Sequence, residues 1–361
     1  MKGVQVRKSV YDKTAAGLRH KVKALLAAPA QANAKNVTIE DFFENRFLTD
    51  MKSRLKYNTL STYKTAVKEY IVPEIGRARL ATLKPANVAA WLDGLKVGAR
   101  SKQLAFATLR RGYSYAVEVG YFERNPLADM KGPRVPKTEK PTLNLTELRK
   151  LLTVAKASEW FPLVYLATTT AMREGEILGL TIGNLHLNDG YLLVRHNLAR
   201  TENGLALVEP KTTTSRRRVD LSKEAVKLLR DHLKRQRAND LGLVFASKNG
   251  TPIDGPNLLR RVLRPLLKEA GLPPVDFHSL RHTVTTQLAQ AGTPLKTLQA
   301  LLGHASSKTT IDVYSHHAPS EGRAAADLIG SMVRNRRGTK RGTTARRKTS
   351  KTGARTKKKA L

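Results

Sequence analysis

Apolar residues recur at helical spacing through much of residues 37–131, and this pattern predicts four helices. The first begins at a favourable N-cap, Thr38, and Asp41 follows at the third position, as in a capping box. Pro73 and Gly76 disfavour continued helix and are expected to end the second helix. The predicted helices start at Thr38 and then span about 59–71, 85–95 and 101–119.

Beyond residue 145, helical patterns surround a block of strand patterns. Asn203-Gly204 is a hairpin signal within that block. The predicted fold is therefore mainly α with a small antiparallel β-sheet. The expected elements are helices that restart at Thr146 and Glu147 and span 161–170, 222–237 and 257–270, and strands within 191–200, 204–211 and 215–221.

The segment His278–Tyr314 carries four polar side chains that helix packing does not require, namely His278, Arg281, His304 and Tyr314. His278 and Arg281 are three residues apart, so a helix would project both side chains from one face. We expect the two side chains to be able to bind one ligand together.

The pattern LKTLQALL continues that segment and predicts another helix. Thr293 and Pro294 are the expected N-cap and first helical residue. Gly303 is expected to end the helix in the left-handed conformation, which would place His304 on a turn.

The charge of the chain points to a polyanionic partner. The 361 residues contain 65 Lys and Arg against 29 Asp and Glu, a formal net charge of +36. No apolar run approaches the roughly 18 residues that span a bilayer, so a soluble protein with no membrane partner is expected. The absence of cysteine excludes thiol chemistry and fits a reducing interior, and a cytoplasmic, nucleoid-associated protein is the resulting expectation.

Composition also suggests where the chain divides. Residues 1–36 form a basic arm whose apolar stretch is shorter than the roughly 7–15 residues of a signal peptide, so a cleaved targeting role is not favoured. The segment 132–145 contains several prolines and no apolar period, which indicates a linker. Residues 323–361 are expected to be a disordered basic tail, since 331–361 hold 13 Lys or Arg and no acids.

Seven residues at helix starts, turns or hairpin tips are candidates for chemistry. Each also has a plain structural interpretation. Arg173 and Glu176 have the spacing of a surface ion pair, and Tyr314 could be a core aromatic. The candidates are Arg173, Glu176, Lys211, His278, Arg281, His304 and Tyr314.

Together these side chains suit phosphodiester chemistry. Two guanidiniums can hold the non-bridging oxygens of a phosphate and remain charged at any working pH. A tyrosine hydroxyl can attack phosphorus to form a covalent ester if it is assisted, because its free pKa is near 10. A lysine can protonate the leaving 5′ oxygen, and a histidine can act as acid or base toward the nucleophile. This scheme needs no metal and no cofactor.

A metal-dependent nuclease is the alternative that the same segment raises. His278 and His282 have the i, i+4 spacing of a zinc-binding helix. Ser279 stands where that motif requires glutamate, and no cluster of Asp and Glu converges elsewhere in the sequence. A metal site is therefore not expected, and His282 is interpreted as a packing or support residue.

Five separated motifs resemble, in order and spacing, those of the tyrosine recombinase (phage integrase) family. They are TTAMREGEILGL, PKTTTSRRRV, HSLRHT, LLGH and the tyrosine at 314, within a resemblance that covers about residues 37–322. The resemblance implies a helical core-binding, SAM-like domain over 37–131. It also implies a mixed α/β (α+β) catalytic domain of the DNA breaking-rejoining type over 146–322.

The resemblance also implies a role for each candidate residue. Arg173 and Arg281 would be the arginine pair, and Tyr314 would be the nucleophile. Lys211 would be the hairpin lysine that protonates the leaving group. The remaining roles are the acid/base position for His278, the second histidine for His304 and a supporting acidic residue for Glu176.

Two positions depart from the family pattern. Ala171 replaces a common glycine two residues before Arg173, so a differently shaped turn is expected there. Ser279 replaces the usual aspartate beside His278, so a supporting hydrogen bond is expected to be weaker or to come from the serine. The basic tail is not part of the family core.

The implied reaction is site-specific cutting and rejoining of duplex DNA through a 3′-phosphotyrosyl intermediate, for integration or excision of a mobile element. Double-stranded DNA is the expected partner, and the chain is expected to form a homotetramer on it. DNA-bending accessory proteins are further candidate partners. Resolution of chromosome or plasmid dimers by the same chemistry is the alternative role. A type IB topoisomerase and a non-catalytic DNA-binding protein are alternatives from other classes.

Overall fold

The structure is a computed structural model that describes residues 36–136, 141–210 and 215–303, together with Tyr11, Thr14 and Gly17. Two large hydrophobic cores lie within these residues, one in residues 36–136 and one in the described residues from 141 to 303, beside a small cluster of Ala171, Val284 and Leu302. Within the described ranges, no helix combines the length and the apolar character needed to cross a membrane.

The first part, residues 36–136, forms four helices, as the apolar pattern predicted, and one short 3-10 helix, Leu80–Thr82. Two of them contain a wide π-helical segment between α-helical ends. Helix α1 comprises Ile39–Asp41, Phe42–Phe47 and Leu48–Arg54, α2 comprises Tyr57–Ala66, Val67–Ile71 and Val72–Ile75, α3 is Pro85–Gly94 and α4 is Ala99–Glu118.

Helix α1 begins where the sequence predicted. The Thr38 side chain accepts a hydrogen bond from the Asp41 amide at 3.1 Å, which satisfies one of the unpaired amides of the first turn. The helix then buries Phe42, Phe43 and Phe47 against the aromatic face of α4. An aromatic cluster of this kind supplies most of the packing energy of a small helical core.

Helix α2 does not end at Pro73, contrary to the prediction. The Val72 amide bonds to the Val67 carbonyl five residues back, in a wide π turn immediately before the proline. Such turns relieve the crowding that a proline ring otherwise causes in a helix, and the helix therefore continues through Pro73. It ends at Ile75, and Gly76 follows it, as predicted.

In the second part, the described residues from 141 to 303, seven α-helices, a short 3-10 helix at Ile182–Asn184 and five short strands pack around a separate core. The predicted helices are present. They are α5 Leu145–Ala155, α6 Phe161–Thr169, α7 Glu174–Leu178, α8 Lys223–Arg235, α9 with segments Gly255–Leu258, Leu259–Leu263 and Arg264–Glu269, α10 Phe277–Gln290 and α11 Leu295–Leu302.

The strands are antiparallel, as predicted, but they form two small sheets rather than one. The predicted strand over 191–200 is interrupted at Arg195 and His196, so its two halves join different sheets. Gly204 takes a positive φ of 99° and pairs with Thr201, which confirms the predicted hairpin. One sheet has the order β1 Leu185–His186, β2 Tyr191–Val194 and β5 Arg217–Asp220, and the other joins β3 Asn197–Thr201 to β4 Gly204–Val208.

Helix α11 differs from its prediction at one end only. Pro294 is the N-cap rather than the first helical residue, because its ψ of 139° is extended, and the helix begins at Leu295. Gly303 ends the helix with φ 60° and ψ 43°, the predicted left-handed conformation.

Candidate active site

The turn between α6 and α7 places the first two candidates. Ala171 is fully buried and has φ 51°, so it adopts the left-handed conformation that glycine favours, and the turn accommodates the alanine. Arg173 is then the N-cap of α7. The Glu176 carboxylate turns back to accept the Arg173 amide at 2.9 Å and an Arg173 guanidinium N–H at 2.7 Å.

Arg173 and Glu176 do not form an ordinary surface pair. The Glu176 side chain is 3% exposed, whereas that of Arg173 is 37% exposed. A carboxylate in that position must be paired, since an unpaired buried charge is costly.

A second arginine, Arg217 on β5, contacts the same carboxylate. Its Nη2 lies 2.9 Å from Glu176 Oε2 and its Nη1 lies 3.1 Å from Oε1, which is a bidentate pair. Its Nε donates to the Leu301 carbonyl at 2.7 Å. Arg217 is not among the residues predicted from the motifs, although the alternation of a strand places it on the same face as buried Val219.

Arg281 on α10 is the third arginine of the group. It is 3% exposed and donates to the carbonyls of Ala171 at 2.6 Å and Leu302 at 2.7 Å. Its Nη1 is 4.0 Å from Glu176 Oε2. One buried carboxylate therefore stands among three guanidiniums, and we call Arg173, Glu176, Arg217 and Arg281 the arginine cluster.

The charges of the arginine cluster affect one another. Burial alone would raise the pKa of Glu176, but the hydrogen bonds and charges of Arg217 and then Arg173 outweigh it, and the pKa is lowered. Burial, with a contribution from the Arg173 and Arg217 cations, lowers the pKa of Arg281 to about 9. Both groups stay charged at neutral pH, and the arginine cluster has an excess of positive charge that suits a phosphodiester.

His278 and Arg281 have different surroundings despite sharing a helix. His278 is exposed, and its Nε2 lies 3.1 Å from Nε2 of His282. The two imidazole rings meet edge to face at 4.6 Å between centroids. The prediction that His278 and Arg281 bind one ligand stays a prediction, and the predicted support role of His282 gains a direct contact with His278.

Three predicted residues, Lys211, His304 and Tyr314, lie outside the described residues. The chain just before His304 is nevertheless tied to the arginine cluster. Leu301 and Leu302 give their carbonyls to Arg217 and Arg281, and Gly303 then turns the chain. In the ranges that the structure describes, no group of three or more His, Cys, Asp or Glu side chains could hold a metal ion.

The sequence matches two family descriptions. The phage integrase family matches residues 142–321, and the N-terminal SAM-like domain of phage integrases matches residues 38–96. A tyrosine recombinase XerC-like protein of Caldanaerobacter subterraneus is 27% identical, over 91% of this chain and 93% of that protein. A putative prophage phiRv2 integrase of Mycobacterium tuberculosis is 25% identical, over 78% of this chain and 76% of that protein.

Solved structures share the fold. The Tn1549 transposon integrase in complex with a circular intermediate DNA has a TM-score of 0.71 at 19% identity, over 81% of this chain and 99% of that one. A lambda integrase tetramer bound to a Holliday junction has a TM-score of 0.60 at 23% identity, over 80% of each chain.

Proposed function

Because this chain belongs to the phage integrase family of tyrosine recombinases, we propose that it is a site-specific recombinase that integrates or excises a mobile element. Related proteins that carry the names of a prophage integrase, a transposon transposase and the ICEBs1 integrase of Bacillus subtilis support the mobile-element role. Its substrate is double-stranded DNA.

The arginine cluster is the observation that carries this proposal. Three guanidiniums around one carboxylate leave an excess of positive charge beside a partly exposed side chain, that of Arg173. A phosphodiester has one negative charge and two non-bridging oxygens, so it matches both the charge and the fork geometry of arginine. Arg173 meets the phosphate first, and Arg281 stabilises charge on the inner side.

In the proposed reaction, protein side chains supply the nucleophile and transfer the protons, and neither a metal nor ATP takes part. Tyr314 attacks the scissile phosphorus, the bond to the 5′ oxygen breaks, and Lys211 gives that oxygen a proton. His278 takes the proton that the Tyr314 hydroxyl loses in this attack and returns it when the tyrosine leaves in the second step, and His304 stabilises the developing charge on the phosphate. The freed 5′ hydroxyl then attacks the phosphotyrosyl bond of a partner duplex, so one ester replaces another at each step.

The assembly is proposed to match this chemistry. Residues 37–131 would form the core-binding domain, 132–145 the linker and 146–322 the catalytic domain, with basic segments 1–36 and 323–361 at the ends. Exchange between two duplexes requires four active sites, and we therefore propose a homotetramer on DNA. Accessory proteins that bend the DNA would act outside this tetramer.

The test is a covalent adduct between the protein and DNA. The probe is a labelled duplex that carries a candidate attachment-site repeat, found by sequencing the DNA on either side of this gene, with a nick that lets the leaving strand diffuse away. Wild-type protein should give a shifted band on a denaturing gel, whereas Tyr314→Phe should bind the duplex and give no such band. Tyr11→Phe is the control, because Tyr11 is an exposed tyrosine outside the motifs that carry the proposed chemistry, and it should keep the adduct. An undiminished adduct in Tyr314→Phe would move the nucleophile to another residue.

A further inference from the structure

Three consecutive arginines occupy positions 216–218, and their surroundings differ. The side chains of Arg216 and Arg218 are 54% and 57% exposed and pair with surface acids. The Arg217 side chain is only 6% exposed. Strand alternation explains which arginine turns inward, but it does not explain why that position holds a charge rather than an apolar residue.

Arg217 uses two sides of its guanidinium. Its Nη1 and Nη2 donate to the two carboxylate oxygens of Glu176, and its Nε donates to the Leu301 carbonyl near the end of α11. Replacing a buried ion pair by apolar residues is often neutral or stabilising, so stability alone gives no reason for this arrangement. The bonds instead fix the relative positions of β5, α7 and α11.

Both partners of Arg217 lead directly to the proposed site. Glu176 accepts the amide and the side chain of Arg173 and lies 4.0 Å from Arg281. Leu301 is adjacent to Leu302, whose carbonyl accepts Arg281, and His304 follows two residues later. A displaced Arg217 would therefore release both arginines and the chain before His304.

We propose that Arg217 is a positioning residue for DNA cleavage, which holds Glu176 and the end of α11 so that Arg173 and Arg281 meet the phosphate correctly. This inference rests on the proposed recombinase activity. Arg217 does not touch the DNA and acts through its two partners.

The charged groups that face Glu176 make this role measurable. They are Arg173 on α7, Arg217 on β5 and Arg281 on α10. Burial raises the pKa of Glu176, and Arg217 is foremost among the groups that lower it. Without Arg217, the pKa of Glu176 should rise, and the carboxyl should become protonated as the pH falls toward acid values.

The first experiment measures single-turnover cleavage of the nicked duplex between pH 6 and 9 for Arg217→Gln. Misplacement of Arg173 and Arg281 should slow cleavage by about 100-fold at pH 7, with a larger deficit at pH 6 and a smaller one at pH 8. Arg217→Lys restores the charge but not the fork, so it should regain the pH profile of the wild type and only part of the rate. Arg218→Gln removes the same charge at the next, exposed position and should keep the wild-type pH profile.

The second experiment needs no DNA. The lowered pKa of wild-type Glu176 makes its contribution to stability constant between pH 5.5 and 7.5, since loss begins only below its ordinary value. In Arg217→Gln the pKa of Glu176 is raised, so its ionised form destabilises the folded state. Protonation of Glu176 removes this destabilisation as the pH falls. The melting-temperature deficit of the variant should therefore be smaller at pH 5.5 than at pH 7.5, by about 2–4 °C.

The two deficits change with pH in opposite directions, which a purely structural role cannot produce. Deficits that stay equal across the pH range, or wild-type cleavage by Arg217→Gln, would overturn the role of Arg217. Absence of any adduct from the wild type overturns the recombinase proposal instead. The melting experiment tests the link between Arg217 and Glu176 in either case.

Discussion

The two parts of this protein bury different kinds of side chain. In residues 36–136 the buried set is apolar and aromatic apart from Thr108, and it contains no charged side chain. In the described residues from 141 to 303, the charged side chains of Glu176 and Arg281 are buried, and that of Arg217 is nearly as buried. The first part is thus built for packing, whereas the second gives up stability to hold charges in place.

The packing of the first part depends on close contact with little room for change. Phe43 lies 5.6 Å from Phe42 and 5.3 Å from Phe47 between ring centroids. A Cβ added at Gly112 on α4 would come within 2.2 Å of the Phe43 ring, so α4 needs a glycine there to approach α1. Its stability should therefore respond to volume.

The largest expected effect is on this aromatic core. Phe43→Ala should lower the free energy of unfolding by about 3–5 kcal/mol, because it removes a fully buried ring and leaves a cavity. Chemical denaturation followed by circular dichroism measures the loss. Leu145→Ala is the control, since Leu145 is 52% exposed and its truncation should change stability by less than about 0.5 kcal/mol. A loss at Phe43 as small as that of the control would show that the aromatic core is not what stabilises the first part.

The next effect is on chemistry in the second part. Arg281→Ala should slow adduct formation by about 100-fold or more, by analogy with the loss of a preorganised donor to developing charge. Single-turnover cleavage of the nicked duplex at pH 7.5 measures the rate. Arg124→Ala removes an arginine that pairs with Asp129 at an exposed position, and it should cleave within about threefold of the wild type, since exposed ion pairs contribute little. Near-normal cleavage by Arg281→Ala would place the phosphate contact elsewhere.

The helices were predictable because their information is local. Thr38, Gly303 and the apolar stripes each act within a few residues of the structure that they determine. The prediction that Pro73 ends α2 was wrong because a π turn formed by the preceding residues accommodates the proline. The spacing of apolar residues does not reveal such a turn. The strand pattern over 191–200 divides at Arg195 and His196, because β2 pairs with β5 whereas β3 pairs with β4, and the local pattern does not specify these partners.

The site was predictable in part for a related reason. The motifs identified Arg173, Glu176 and Arg281, and the structure brings these three together. Arg217 was missed because three adjacent arginines have the same composition; strand alternation places the middle one on the inner face, but only the packing of β5 against α7 and α11 gives it its partners. Long-range contacts determine which of several basic residues is buried beside Glu176, and composition alone does not show this.

The smallest expected effect has the opposite sign and tests whether the second part gives up stability. Burial raises the pKa of Glu174, and Asp276 and Asp254 raise it further, so the folded state disfavours its ionised form. Glu174→Gln should therefore increase the free energy of unfolding at pH 8 by about 0.5 kcal/mol. The gain should shrink as the pH falls through the raised pKa of the folded state toward the ordinary value, because the wild-type carboxyl then takes up a proton. Glu159→Gln, at an exposed acid paired with Lys248, should show no such pH-dependent gain. Urea denaturation at pH 8 and pH 5 measures both variants, and a loss of stability in Glu174→Gln at pH 8 would mean that this charge supports the fold.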